Sequence, residues 1–187
     1  MKKRSFLGAL GVTLLAALLF VACGPTTSDQ VVGSYKFTTE WDEPGTEKSF
    51  PHKITIDETE IFEEDKSYTE EGMKSVTYFI DDEGRELSTT LYFSYVRTGT
   101  WKIEYTDGRE WLVINGLTDE SRFEKYELSE EDPALEAWSK QLGEDIVADM
   151  NSDDDWKSEH NYGFIGVNDE TLTYETKTET IRVQRIK

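Results

Sequence analysis

The chain has one cysteine, two histidines and four prolines among 187 residues, and its 20 lysines and arginines are outnumbered by 39 aspartates and glutamates. A lone cysteine excludes an internal disulfide framework. With Cys23 set aside, His52 and His160 fall short of the four Cys or His ligands, or three with a carboxylate, that a structural zinc site needs. The basic deficit leaves no stripe to follow a phosphate backbone, so nucleic acid is not an expected partner. No Gly-x-Ser-x-Gly elbow offers a nucleophile. No internal repeat or low-complexity tract shapes the body of the chain. Abundant aromatics and β-branched residues give it material for a core, which disordered chains lack.

At the amino end, Lys2, Lys3 and Arg4 precede "SFLGALGVTLLAALLFVA", in which only Ser5 and Thr13 are polar. This apolar core is shorter than the roughly twenty residues of a membrane-spanning helix and is broken at once by Gly24-Pro25, so residues 1–22 read as a removable targeting sequence. An ordinary secretory site wants small residues at the last and third-last positions; Ala22 fits and Phe20 is too bulky. The "FVAC" run followed by Gly24 resembles the lipobox of bacterial lipoproteins, with Phe20 where Leu is usual. That resemblance implies that the Cys23 thiol receives a diacylglycerol and becomes the acylated mature N-terminus. It gives the unpaired thiol a purpose and places the protein at the bacterial cell envelope, lipid-anchored, with the outer membrane favoured. The competing readings are a transmembrane anchor, or an ordinary signal that leaves a free thiol.

Residues 23–30 then form the lipidated cysteine and a flexible tether, since "GPTTSDQ" has no large apolar side chain. Loss of the three leader cations takes the net charge from −19 to −22. Anionic headgroups repel such a surface, so only the lipid is expected to touch the membrane. Two or more acyl chains suffice for stable anchoring, at about 0.8 kcal/mol per buried methylene.

Residues 31–187 suit a single domain. Val31, Gly33, Tyr35, Phe37 and Thr39 alternate with Val32, Ser34, Lys36 and Thr38, the period of a strand. After the turn at Pro44-Gly45, "HKITID" and "TEIFEED" suggest two brief strands with Ile54, Ile56 and Ile61 as apolar positions. "DDEG" (Asp81 to Gly84) predicts a hairpin between two β-branched and aromatic runs, and Asp107-Gly108 predicts another. Phe123 and Tyr126 break strict alternation, which predicts a bulge. "SEEDPALEAWSKQLGEDIVADMNSDDD" is the one good helix, with Ser129 as N-cap and Pro133 in the first turn. Leu135, Trp138, Leu142, Ile146 and Met150 form its apolar stripe, which should pack on a sheet or plug one end of a barrel. Two strands joined near Asn168-Asp169 and a terminal "TETIRVQRIK" follow. The fold class is mostly β: an antiparallel meander of about eight to ten strands closing into a barrel, with one helix near the C-terminal third.

Gly33-Ser34-Tyr35, Gly99-Thr100-Trp101 with Ile103, and a C-terminal strand carrying Arg182 and Arg185 resemble the lipocalin-like lipoproteins of Bacteroidetes envelopes. That group implies a tethered, calycin-type barrel. Tyr35 stands where true lipocalins carry a Trp that packs beneath a C-terminal Arg.

Asp149, Asn151, Asp153 and Asp155 have the alternate oxygen spacing of a calcium loop. However, Asp154 replaces the glycine and His160 the bidentate glutamate, so a solvated acidic helix end is the preferred reading, and no metal or cofactor is expected. The rings of Tyr35, Trp41, Tyr92, Phe93, Tyr95, Trp101, Trp111, Trp138 and Trp156 exceed what a small core needs. Tyr35, Tyr92, Tyr95, Trp101 and Trp111 are the candidate ligand-binding set, for a small apolar molecule or glycan held in the barrel. The leading expectation is a monomeric, non-enzymatic envelope lipoprotein with such a ligand. Its rivals are a protein-interaction or adhesion module with an acidic face and a filled barrel, and a hydrolase with paired carboxylates.

Overall fold

In the computed structural model, which describes residues 27–46, 49–152 and 160–186, alternation at period two is closed on itself. Eight antiparallel strands pair in chain order: β1 (Gly33–Glu43), β2 (His52–Phe62), β3 (Ser67–Asp82), β4 (Arg85–Thr106), β5 (Arg109–Leu128), β6 (His160–Val167), β7 (Thr171–Glu175) and β8 (Thr180–Arg185), with β8 returning to β1. Two helices accompany them among the described residues, α1 (Thr27–Val31) and α2 (Pro133–Ser152). The leader, Cys23, Asp153, Asp155 and Trp156 lie outside the described residues. α1 occupies the last residues of the stretch read as tether.

The turn chemistry follows the sequence. Glu83 and Gly84 have φ of 54° and 86°, and Asp107 and Gly108 have φ of 55° and 82°, the paired positive angles of type I′ turns whose twist suits a hairpin. Asn168 Oδ1 accepts from the backbone N–H groups of Glu170 and Thr171 and shapes the β6–β7 turn. The bulge is present: the β4–β5 register shifts between the pairs Tyr92–Lys125 and Phe93–Phe123.

The strand number, eight, lies within the expected range, and one pair of expected pieces is continuous. "HKITID" and "TEIFEED" are one strand, β2, whose inward residues are Ile54, Ile56, Glu58, Glu60 and Phe62, while Ile61 points the other way. β4 runs unbroken through Gly99, and β5 runs through Gly116, where a positive φ of 65° and a second register shift change which residues face inward.

Closure is uneven. β8 pairs with β1 only at Tyr35 and Lys36, and β5 pairs with β6 only from Trp111 to Ile114. Beyond that level β1 to β5 continue as an open, curved sheet. α2 packs onto its inner face: Leu142, Ile146 and Val147 meet Val76, Leu91 and Phe93. The helix therefore plugs the wide end, and the small residues of its inner face let it sit close, with Ser139 hydrogen-bonded to Thr89 and Gly143 against the Phe123 ring. Its N-cap is Asp132, whose Oδ1 accepts from Ala134 and Leu135 N–H; Ser129 instead accepts from Ser88 N–H. Asp132 is one residue from Pro133, which suits the first helical position, whereas Ser129 is too far upstream.

The narrow end is sealed. Val31, Tyr35, Phe62, Tyr68 and Trp101 are each at most 1% exposed. The Tyr35 hydroxyl donates to the Val31 carbonyl at 2.8 Å. The Arg185 guanidinium lies 4.9 Å from the centre of the Tyr35 ring and donates to the Gln30 and Val32 carbonyls. Trp101 packs edge-on against Phe62, gives its indole N–H to the Glu63 carbonyl, and carries the Lys66 ammonium over its face.

Candidate functional site

Between the sealed end and the helix plug the barrel interior stays open, leaving a cavity of about 620 Å³. It arises where the short strands β6 to β8 stop covering the long ones. Its inner wall is built by consecutive inward positions of neighbouring strands: Glu58 and Glu60 of β2, Tyr68, Glu70 and Lys74 of β3, and Tyr95 and Arg97 of β4. Tyr162 and Tyr174 close the far side, and Met150 at the end of α2 forms part of the roof. Trp41 of β1 and Glu179 of the β7–β8 turn also line it and are exposed, so it reaches solvent between those elements.

The polar groups form one connected cluster. Glu60 is 4% exposed; its Oε1 accepts from Tyr174 at 2.9 Å and from Tyr68 at 3.3 Å. The Tyr68 hydroxyl also lies 3.0 Å from Glu70 Oε2, and its single hydrogen serves one carboxylate at a time. Arg97 donates from Nη1 to Glu70 at 2.6 Å and from Nε to Asp119 at 3.2 Å, so its charge is committed on two sides. Tyr95 donates to Glu58. Gly72, between Glu70 and Lys74 on β3, makes that contact possible: a Cβ there would fall 2.8 Å from both the Tyr95 hydroxyl and Glu58 Cβ.

Burial sets the protonation of this cluster. It pushes the Glu60 carboxyl up to about 8, helped by the charge of Glu70 and opposed by the Tyr174 hydrogen bond. The same two causes push Glu58 up to about 7, against the Tyr95 hydrogen bond. Burial holds the Tyr68, Tyr95 and Tyr174 hydroxyls well above the usual tyrosine range, so they remain donors. Lys74 is lowered by burial and by the nearby Arg97. Glu60 Oε2, buried at this wall, has no hydrogen-bond partner. An unmatched buried acceptor costs about 1 to 3 kcal/mol, more if charged.

Of the five residues expected to bind a ligand, Tyr95 lines this cavity. Tyr35 and Trp101 are packed into the sealed end. Tyr92 is on the outer face, its hydroxyl bonded to Glu127 and its ring under Lys125. Trp111 bonds the Thr106 carbonyl and stacks with Arg109 away from the cavity. In the calcium candidate, Asp149 and Asn151 belong to α2, and the Asn151 amide is spent on both backbone groups of Ser121 at 2.8 and 3.0 Å. Among the described residues no three His, Cys, Asp or Glu side chains are placed to hold a metal ion.

Sequence reasoning passed over Glu58, Glu60, Glu70, Lys74 and Arg97. The available signal was phase: Glu58 and Glu60 continue the alternate positions begun by Ile54 and Ile56 and completed by Phe62. No family model, no curated protein and no solved structure matches the chain.

Proposed function

We propose that the protein is a lipid-anchored envelope lipoprotein whose barrel binds a small ligand, with Cys23 as the anchor and the interior cavity as the site. The observation that carries this reading is the unfilled space of about 620 Å³ inside a barrel whose two ends are otherwise packed. Its volume falls within the roughly 300 to 1,000 Å³ of small-molecule sites, and its wall combines rings with a few convergent polar groups. A packed interior would have favoured the adhesion module instead. The anchor rests on the lipobox-like "FVAC" run; the Arg185 guanidinium lies over the ring of Tyr35, where true lipocalins place a Trp beneath a C-terminal Arg.

The test is mass spectrometry of protein purified from its native envelope under non-denaturing conditions. A stoichiometric small molecule, released on unfolding, is the expected result; repeated isolation of empty protein would count against the reading. Separately, Cys23→Ser is expected to leave the precursor unprocessed and without acyl label, and normal maturation of that variant would remove the anchor from the account.

The carboxylate cluster favours one second reading, a hydrolase in which the proton kept on Glu60 serves a leaving group and another carboxylate assists. Two commitments weigh against it: Arg97 holds Glu70, and Tyr95 holds Glu58. Turnover of aryl glycosides, abolished by Glu60→Gln, would establish it over ligand storage.

A further inference from the structure

The ladder between β2 and β3 stops before β3 does. β2 pairs with β3 only as far as Tyr78, opposite His52, after which the Phe79 N–H donates to the Pro51 carbonyl at 3.0 Å. Proline has no N–H to return that bond, so the Phe79 carbonyl has no ladder donor. The next backbone groups on this edge are those of Asp81, because the type I′ turn at Glu83-Gly84 makes Asp82 and Arg85 a hydrogen-bonded pair and turns Ile80 and Asp82 toward β4. Ser49, which a continued ladder would set opposite Asp81, exchanges its N–H and carbonyl with Thr46 instead. Among the described residues, the Phe79 carbonyl and both backbone groups of Asp81 therefore face an edge with no strand beside it.

Space and apolar surface adjoin that edge. Two hollows of about 410 and 670 Å³ meet there, sharing Phe50, Ile80, Asp81 and Leu87. The smaller reaches Leu135 and Trp138 of α2, and the larger is walled by Phe79. Phe50 and Phe79 are 43% and 46% exposed. Charges usually blunt an open edge, and here those left over are of one sign. Asp81, Glu83 and Glu86 are exposed and form no ion pair among the described residues, while Arg85 is spent on Asp82 and Asp132. In a chain of net charge −19, such a rim repels a second copy of the same molecule and complements a basic one.

We infer that this edge docks an extended basic segment of a partner protein, which adds as a strand beside residues 79–82. The segment's backbone meets the Phe79 carbonyl and the N–H and carbonyl of Asp81. Side chains of an added strand alternate as those of β3 do. One set beside Ile80 enters the apolar hollow against Leu87 and Trp138, and its two neighbours lie on the opposite face with Phe79, Asp81 and Glu86. The matching sequence is basic, apolar, basic, with lysine or arginine against the carboxylates and the Phe79 ring. None of these residues lines the interior cavity, so the docking edge stands apart from the ligand reading.

The test titrates two peptides, acetyl-Lys-Val-Lys-Ile-Lys-Val-Lys-amide and acetyl-Glu-Val-Glu-Ile-Glu-Val-Glu-amide, into the purified protein, followed by amide NMR and hydrogen exchange. The basic peptide is expected to bind at least about tenfold more tightly than the acidic one, to weaken as salt is raised, and to slow exchange of the Asp81 N–H. Asp81→Pro removes that edge donor and leaves the β4-facing bonds of Ile80 and Asp82, so it should weaken the basic peptide at least about tenfold. Glu86→Lys, on β4 and off the edge, should weaken the basic peptide and strengthen the acidic one; it carries the test if Asp81→Pro alters the circular dichroism. Equal binding of the two peptides overturns the inference, as does binding that leaves Asp81 exchange unchanged, or no binding of either. Dimerisation that protects the Asp81 N–H without peptide also overturns it, by giving the edge to a second copy.

Discussion

The sealed end and the cavity are built from the same alternation of strand residues yet treat polar groups in opposite ways. At the sealed end Tyr35 both donates, to Val31, and accepts, from Arg185, and the remaining Nη hydrogen bonds of Arg185 go to carbonyls of the segment that closes the barrel. One donor, Arg185 Nε, is left over, and protein packs around it. A few ångströms along the same strands the inward positions carry Glu58, Glu60 and Glu70, and the acceptor left over, Glu60 Oε2, belongs to a residue that lines open space. Polar groups at the first place fasten the fold. At the second they line a cavity, where burial and the charge of Glu70 raise the Glu58 and Glu60 carboxyls toward their neutral forms.

This contrast can be broken by substitution, and the largest effect belongs to the sealed end. Trp101→Ala removes a side chain 1% exposed and packed against Phe62, and is expected to cost about 3 to 5 kcal/mol in urea denaturation, at acid and alkaline pH alike. An unchanged midpoint would mean that the narrow end contributes little to stability.

Glu60→Gln is expected to act in the opposite direction. The folded-state value of about 8 lies above the ordinary 4.5, so the folded protein holds more protons than the unfolded chain between those values. The contribution of Glu60 is present in full below pH 4.5 and is lost as pH rises toward 8. Replacing it should therefore raise stability at pH 8.5, on the order of a few kcal/mol, and do little near pH 4.5. Thermal melts across that range check the sign: equal melting shifts at both pH values would show that Glu60 is an ordinary solvated carboxyl.

Gly72→Ala sharpens the comparison within the cavity itself. The new methyl has no room beside the Tyr95 hydroxyl and Glu58 Cβ, so about 1 to 3 kcal/mol should be lost and the Tyr95–Glu58 bond broken. Loss of that bond removes a force holding Glu58 down, so its carboxyl should titrate still higher. The smallest effect is expected outside the barrel, where Tyr92→Phe deletes a hydroxyl bonded to Glu127 on an exposed face; its melting temperature should match the parent protein.

What could be read from the sequence, and what could not, divides along the same line. The type I′ turns at Gly84 and Gly108, the helix after Pro133, the bulge near Phe123 and the barrel itself follow from local chemistry, because turn residues and apolar spacing act over a few positions. The continuity of β2 and the site were harder for one shared reason. Carboxylates on a strand look like solvent-facing residues, and Glu58 and Glu60 hid the continuity of β2 while Ile61, pointing outward, supplied a misleading apolar marker. Likewise the aromatic surplus pointed to the interior in general, yet Trp101 and Tyr35 fill the end and Tyr95 alone of the five candidates reaches the cavity. Cross-strand partners decide such cases. Arg97 meets Glu70 and Asp119 only through the β3–β4–β5 register, which no single stretch of sequence encodes.

The most direct measurement is a carbon-13 NMR titration of protein labelled at the glutamate side-chain carboxyls, with Glu58→Gln and Glu60→Gln used for assignment. Two resonances should titrate far from the rest, Glu58 near 7 and Glu60 near 8. If every glutamate titrates in the ordinary carboxylate range, the cavity wall is freely hydrated and the contrast between the two ends of the barrel does not exist.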